Sequence, residues 1–371
     1  MLSWSRFLFW RRLRRLTVQF KFVVMLVTLL TSLVLINPAL AKISDTKASN
    51  TAFKAFYEKE WGQVQPCRET ALNKFGVCSN VLRNEGNAPF ILNNKTSDKV
   101  AVLVHGLSDS PFFMRAIADI LFEQGFTVVV PLLPGHGKRD ADDDMSDWDL
   151  EERWQAHVDE VISLADSMGD TLIVGGFSTG GALSVEHYLS QLGEGKSENN
   201  SNNIDGLMLF SGALTLSENA EGMSRIWGIK LLARIIDGTY ETHGPNPYKY
   251  PNVAGLSGLE LMDLINTIRD KFEEGKRIDV PVFAAHSQAD VTTPISGIEN
   301  LMQYSEGNNT FFVIDESYAL CHADVVVNPP LLKAMNFNTS MVNQQEECAV
   351  PQANPLFSTM AMMLREYVKQ F

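Results

Sequence analysis

The stretch "GGFSTGG" (175–181) fits G-x-S-x-G through Gly176, Ser178 and Gly180. A nucleophilic serine held in a tight strand-to-helix turn needs small neighbours two positions before and after it, because a side chain there would strike the flanking backbone. A serine hydroxyl is a weak nucleophile, so it also needs a base and an acid to orient that base. In this setting both follow the serine, acid first and histidine last. Asp290, just past "VPVFAAHSQ", and His322, in "ESYALCHAD" (316–324), stand in that order. The chemistry expected is acyl transfer through Ser178, His322 and Asp290.

The other candidates fit less well. His187 falls inside the helix after the serine, His243 in a long insertion, and His286 at the end of a strand. His105 precedes the serine and is expected to be structural. Asp315 and Glu316 are the fallback acids, but they precede the histidine on a strand end. A developing oxyanion needs two preset N–H donors. One should be the N–H of Thr179, after the nucleophile. The other should come from "HGLSDSP" (105–111), with Leu107 preferred over Ser108.

Cys321 adjoins His322, which raises a metal site or a reactive thiol. The serine turn already supplies a nucleophile, and a zinc site would need more His or Cys ligands at metal spacing than the chain offers. No metal and no cofactor is expected. The four cysteines, Cys67, Cys78, Cys321 and Cys348, allow three pairings. Proximity in sequence favours Cys67–Cys78 and Cys321–Cys348, the second fixing the loop that carries the base.

The elements that would position these residues are legible from Lys99 onward. "KVAVLVHG", "FTVVVPLL", "TLIVGGF", "IDGLMLF", "VPVFAAHS" and "TFFVIDES" are apolar, β-branched runs of buried strands. Between them lie helical patterns such as "SPFFMRAIADILFEQG" and "SDWDLEERWQAHVDEVISLADSMG", the latter with Ser146 as a possible cap. Alternation of this kind predicts an α/β fold: a mostly parallel sheet with helices on both faces. Residues 193–203 form a polar loop. Residues 217–277 are too long for a plain connection and are expected to add a helical cap. In that cap Ile226, Trp227, Leu231, Leu232, Ile235, Leu259, Met262 and Ile265 either line an acyl-chain cleft or only pack the cap onto the sheet. The acidic run 140–152 has oxygen ligands but lacks the spacing and glycine of a calcium loop, so a solvated face is expected.

The N-terminus differs in kind. Arg6, Arg11, Arg12, Arg14, Arg15 and Lys21 precede an apolar run from Phe22 to Ile36, then "NPALA" with Ala39 and Ala41. Residues 1–41 read as a secretory signal cut after Ala41. The alternative is an uncleaved anchor over residues 22–40, although Asn37 and Pro38 end the run short of the ~20 residues of a spanning helix. Either places the body outside the cytoplasm, periplasmic or secreted. Residues 42–98 read as an N-terminal extension holding the Cys67–Cys78 loop, and 99–371 as the main domain. The net charge is −13, and the N-terminal cations lie within the segment to be removed. So acidic a body would repel phosphate, which argues against nucleic acid as a partner. No protein partner can be inferred; membrane association rests on the N-terminus alone.

Together "VLVHGLSDSP" (102–111), "VVVPLLPGHG" (128–137) and "GGFSTGG" resemble the α/β-hydrolase superfamily, within it the monoacylglycerol lipase, lysophospholipase and bacterial carboxylesterase group. The resemblance runs roughly from Lys99 to Tyr367. It implies the α/β-hydrolase fold, a helical cap between the strand after the elbow and the acid-bearing strand, and a cofactor-free serine hydrolase acting on carboxylic esters. Two departures stand out: His286-Ser287 replaces a common His-Gly before the acid turn, and the N-terminal extension lies outside the resemblance. The expected substrate is a small-molecule ester or lipid, such as a monoacylglycerol or lysophospholipid. A peptidase, thioesterase or acyltransferase would use the same triad, and a non-catalytic binding protein would share only the fold. A haloalkane-type hydrolase would need a carboxylate where Ser178 stands.

Overall fold

The computed structural model describes residues 46–68, 73–192, 204–224, 229–230, 233 and 238–371. Residues 1–41, read from sequence as a signal or anchor, and 193–203, read as a loop, lie outside them. No helix among the described residues is long and apolar enough to cross a membrane.

Nine strands form one sheet: β1 (Gln65–Pro66), β2 (Lys74–Cys78), β3 (Phe90–Leu92), β4 (Lys99–Val104), β5 (Thr127–Val130), β6 (Thr171–Phe177), β7 (Gly206–Phe210), β8 (Val282–Ser287) and β9 (Thr310–Ile314). Their spatial order is β1-β2-β3-β5-β4-β6-β7-β8-β9. From β5 to β9 every neighbour pairs in parallel, whereas β1, β2 and β3 add an antiparallel edge. Residues 65–92, read from sequence with the extension, thus supply three strands of the main sheet.

The strands are apolar throughout because both faces are covered. Along β4, Val100, Val102 and Val104 enter one core while Ala101 and Leu103 enter the other. The first core is closed by α1 (Thr46–Trp61), α4 (Leu150–Asp166), α5 (Thr179–Gln191) and α7 (Gly255–Glu273). The second is closed by α2 (Arg115–Glu123) and α10 (Phe357–Tyr367). Trp154 of α4 is fully buried, and its Nε1–H donates to the Pro134 carbonyl at 3.1 Å. Truncating such a side chain costs ~3–5 kcal/mol.

Three sequence expectations need adjusting. Ser146 does not cap α4. It ends the one-turn helix α3 (Asp142–Met145), and Asp149 stands at the α4 N-cap. The acidic run is ion-paired rather than merely solvated: Asp144 lies 2.6 Å from both Lys138 and Arg153, and Asp147 lies 2.7 Å from Arg153. The insertion contributes α6 (Glu218–Ser224), a strap over 238–254, and α7. The far part of α7 packs on the first core through Met262 and Ile265, so it is as much a flanking helix as a cap.

Candidate active site

The site gathers at the carboxyl ends of β6, β8 and β9, where an open parallel sheet leaves its crevice. Ser178 joins β6 to α5 with φ 53° and ψ −117°, in a region that L-residues seldom occupy. Its N–H donates to the Phe210 carbonyl at 3.0 Å, and its own carbonyl accepts from Gly181, Ala182 and Ala213. That network holds the strain. Sterics explain the glycines: a Cβ on Gly176 or Gly180 would collide with the Val104 carbonyl.

His322 comes from the loop after β9. Its Nε2 lies 2.9 Å from Ser178 Oγ, and its Nδ1 lies 2.6 Å from Asp290 Oδ2. Phe177 packs beside the imidazole, ring centroids 4.8 Å apart. Asp290, after β8, is buried. Its Oδ1 accepts from the Thr292 N–H at 2.9 Å and the Thr293 N–H at 3.0 Å. Burial by itself would raise this carboxyl; the charges and hydrogen bonds of His322 and His286 outweigh it and hold the group well below the usual carboxylate range. It is therefore an anion at any working pH, and it fixes the Nδ1–H tautomer that leaves Nε2 free to accept a proton.

The roles of two neighbours were not anticipated: Thr293 was not singled out, and His286 was weighed as a rival base and set aside. Thr293 Oγ1 lies 3.1 Å from Asp290 Oδ2 and 3.0 Å from His322 Nδ1, bracing their contact. His286 presents Nε2 to the Thr293 carbonyl at 2.7 Å and to Asp290 Oδ2 at 3.4 Å. The only sequence signal was their spacing around Asp290. The rival residues sit elsewhere. His105 is buried and accepts from the Leu133 N–H at 3.1 Å. His187 binds Asp159, and Asp315 accepts from Ser317.

Leu107 and Ser108 lie in the loop after β4 and face the same cleft as Ser178 and His322. Among the described residues the Leu107 N–H has no acceptor. Thr179 opens α5, whose first N–H groups have no partner within the helix. The loop is held from above by the strap. The Tyr250 N–H donates to the Ser108 carbonyl at 2.8 Å, Ser110 Oγ to the Tyr248 carbonyl at 2.8 Å, and Lys249 Nζ lies 2.9 Å from buried Asp109. Arg83 in turn holds the strap: its guanidinium donates to the carbonyls of Thr242, Asn246, Pro247 and Lys249.

Above Ser178 opens a cleft of about 660 Å³, walled by Leu107, Leu216, Ala220, Ile229, Leu259 and Leu261. Of the apolar cap residues named from sequence, Leu259 lines it, whereas Met262 and Ile265 are buried in the core. Ile226, Trp227, Leu231, Leu232 and Ile235 lie outside the residues whose side chains are described. Both disulfides pair by proximity, Cys67 with Cys78 and Cys321 with Cys348. Glu151, Glu260 and Asp263 bring three carboxylates within 4.8 Å of one another. Lys230 Nζ already lies 2.8 Å from Glu260 and supplies a cation there.

Residues 101–251 match the alpha/beta hydrolase family. The chain is 25% identical over 202 residues to a thermostable monoacylglycerol lipase of Bacillus sp. (strain H-257), covering 54% of this chain and 74% of that protein. Among solved structures it is similar to that of one of two metagenome-derived lipolytic enzymes, LipS and LipT, with a TM-score of 0.52, 19% identity, and 69% of this chain and 97% of that one covered. A monoacylglycerol lipase of Paleococcus ferrophilus aligns with a TM-score of 0.47 and 17% identity over 73% of this chain and 94% of its own.

Proposed function

We propose that this α/β-hydrolase, an ester-cleaving enzyme, acts on lipid-like acyl esters such as a monoacylglycerol or a lysophospholipid, through Ser178, His322 and Asp290. The observation that carries the reading is the continuous path from Asp290 Oδ2 through the imidazole to Ser178 Oγ, opening on an apolar cleft. The likeness to a monoacylglycerol lipase supports the substrate class.

In the first half-reaction His322 Nε2 takes the Ser178 proton as Oγ attacks the ester carbonyl. The carbonyl oxygen becomes an oxyanion, met by the N–H groups of Leu107 and Thr179. As the tetrahedral adduct collapses, the C–O bond to the alcohol breaks. Nε2 then gives its proton to the departing oxygen, leaving an acyl-serine. Water repeats the sequence and releases the acid. Asp290 stays ionised throughout and stabilises the imidazolium.

Export is part of the proposal. Two disulfides with no free cysteine among the described residues suit an oxidising compartment, and the N-terminal segment suits a signal or an anchor. A peptidase, thioesterase or acyltransferase remains the alternative on the same residues.

The test is labelling of the protein from residue 42 with a fluorophosphonate probe, followed by turnover of p-nitrophenyl esters of increasing acyl length. Labelling at Ser178 and turnover, both lost in Ser178→Ala, are expected. Turnover that persists in Ser178→Ala overturns the reading. Labelling without ester turnover transfers it to the amide, thioester or acyl-transfer alternatives.

A further inference from the structure

Two cavities meet at the His322 imidazole. One is the apolar cleft over Ser178. The other, of about 670 Å³, touches His322 but not Ser178 and runs along the Cys321–Cys348 bridge. The two share Lys249, Pro251, Asn252, Val291, Thr292 and His322. The outer wall of the second is the excursion between His322 and α10, through Met335, Phe337, Met341, Val342 and Ala349. That excursion lies beyond the family match at 101–251.

We propose that the second cavity is the leaving-group chamber, and that it takes a bulky polar alcohol without net negative charge. The inference rests on Ser178 being the nucleophile. Once Ser178 Oγ attacks, the ester carbon carries the acyl chain on one side and the alkoxy oxygen on the other. The proton from Ser178 passes through Nε2 to that alkoxy oxygen as its bond to carbon breaks. The oxygen must therefore lie within hydrogen-bond reach of Nε2, and its substituent extends away from the imidazole. The acyl chain suits the apolar cleft. The alcohol is left with the second cavity, which adjoins the cleft at His322 and is ample for a glycerol or larger group.

The lining sets the chemistry of that alcohol. Asn246, Asn252 and Asn343 offer amides. Glu241, Asp324 and Glu346 contribute three carboxylates. Among the described residues of the lining Lys249 is the one lysine or arginine, and Asp109 engages it at 2.9 Å. An anionic head group meets three carboxylates and no spare cation, whereas an uncharged or cationic one is accepted.

Four octanoate esters that share an acyl chain test this: those of methanol, glycerol, choline and isethionate. For the wild type, kcat/KM for the glyceryl and choline esters should exceed that for the isethionate ester at least about tenfold. Val342→Trp, at a half-buried position on the outer wall, should lower the glyceryl-to-methyl ratio about tenfold, and Ala349→Trp provides a second filling variant. Asp324→Asn should narrow the gap between choline and isethionate esters. Ratios unchanged in both filling variants, or an isethionate ester preferred by the wild type, overturn the chamber while leaving Ser178 in place. Hydrolysis of none of the four esters overturns the chamber as a site for an alcohol, and fluorophosphonate labelling then tells an intact Ser178 nucleophile, which keeps its label, from a failed Ser178 reading, which does not.

Discussion

Lys249 Nζ lies 2.9 Å from the carboxylate of Asp109, whose side chain is wholly buried beneath the strap. Among the described residues neither Asp109 oxygen has a hydrogen bond of good geometry, and Lys249 is the cation paired with it. Lys249→Met should strand that carboxylate and cost about 3 kcal/mol, seen as a lower thermal midpoint. Adding Asp109→Asn should recover most of the loss. If the double variant is no better than the single, the pair is not coupled.

Asp290 accepts two backbone N–H groups on one oxygen and His322 on the other. Asp290→Asn keeps an oxygen for the backbone but cannot hold the imidazole in the same tautomer. A fall in kcat of about 10⁴ is expected, with little change in fold. Asp315→Asn, at the fallback acid, should leave kcat as it was. Steady-state kinetics on one p-nitrophenyl ester distinguishes the two.

Arg83 is a positioning residue. It touches neither Ser178 nor the cleft, yet its fork holds four strap carbonyls. Arg83→Ala should destabilise by roughly 2–3 kcal/mol and lower kcat more than it raises KM, because the strap sets the loop of Leu107 and Ser108. Arg83→Lys should rescue little, since an ammonium cannot span the same carbonyls. A KM effect alone would contradict this role.

The Cys321–Cys348 bridge closes a loop with a separation of 27 residues. In the chain-entropy model such a loop stabilises by about 3–4 kcal/mol. Cys348→Ser should lower the thermal midpoint and slow fluorophosphonate labelling of Ser178, because Cys321 adjoins the base. Cys67→Ser should lower stability without a comparable effect on labelling. Equal labelling rates in the two variants would remove the link to His322.

Burial pushes the Asp324 carboxyl up to about 6, with the Gln352 backbone and Lys249 pulling the other way. An unfolded aspartate titrates near 3.9. Between about pH 4 and 6 the unfolded chain ionises while the folded one keeps its proton. Stability from this group is therefore full below that window, falls as pH rises through it, and levels off above, by at most about 3 kcal/mol. Asp324→Asn should gain on the wild type in urea midpoint at pH 7.5 relative to pH 4. A gap that does not depend on pH would show that the carboxyl is not shifted.

The turn at Ser178 was readable because the glycines answer to local sterics: Gly176 and Gly180 meet the strand beside them, whatever the rest of the chain does. Asp290 and His322 were readable from chain order and from their places after two buried strands. Thr293 was not, because its hydroxyl serves His322 only once β8 and the loop after β9 stand together. Arg83 and Lys249 were hidden for a like reason: they act on loops with no periodicity, and Arg83 reaches across some 160 residues. The edge strands escaped notice because β1 and β3 have two and three residues, too short for an alternating pattern. The apolar stripe of α7 could not say which of its residues face the cleft. Leu259 does, while Met262 and Ile265, on the same helix, pack inward.

Ser178 stands 144 positions before His322, and the acid lies between them. A chain made from its N-terminus therefore presents Ser178, the proposed nucleophile, long before His322 exists. The sheet edge bearing β8 and β9, and the helix Phe357–Tyr367, whose Tyr367 OH donates to the carbonyls of Leu207 and Pro281, are synthesised well after Ser178. On the proposed reading, a nascent or truncated chain ending before His322 carries an inert serine. On the proposed reading, synthesis order itself thus delays hydrolysis until His322 has been made.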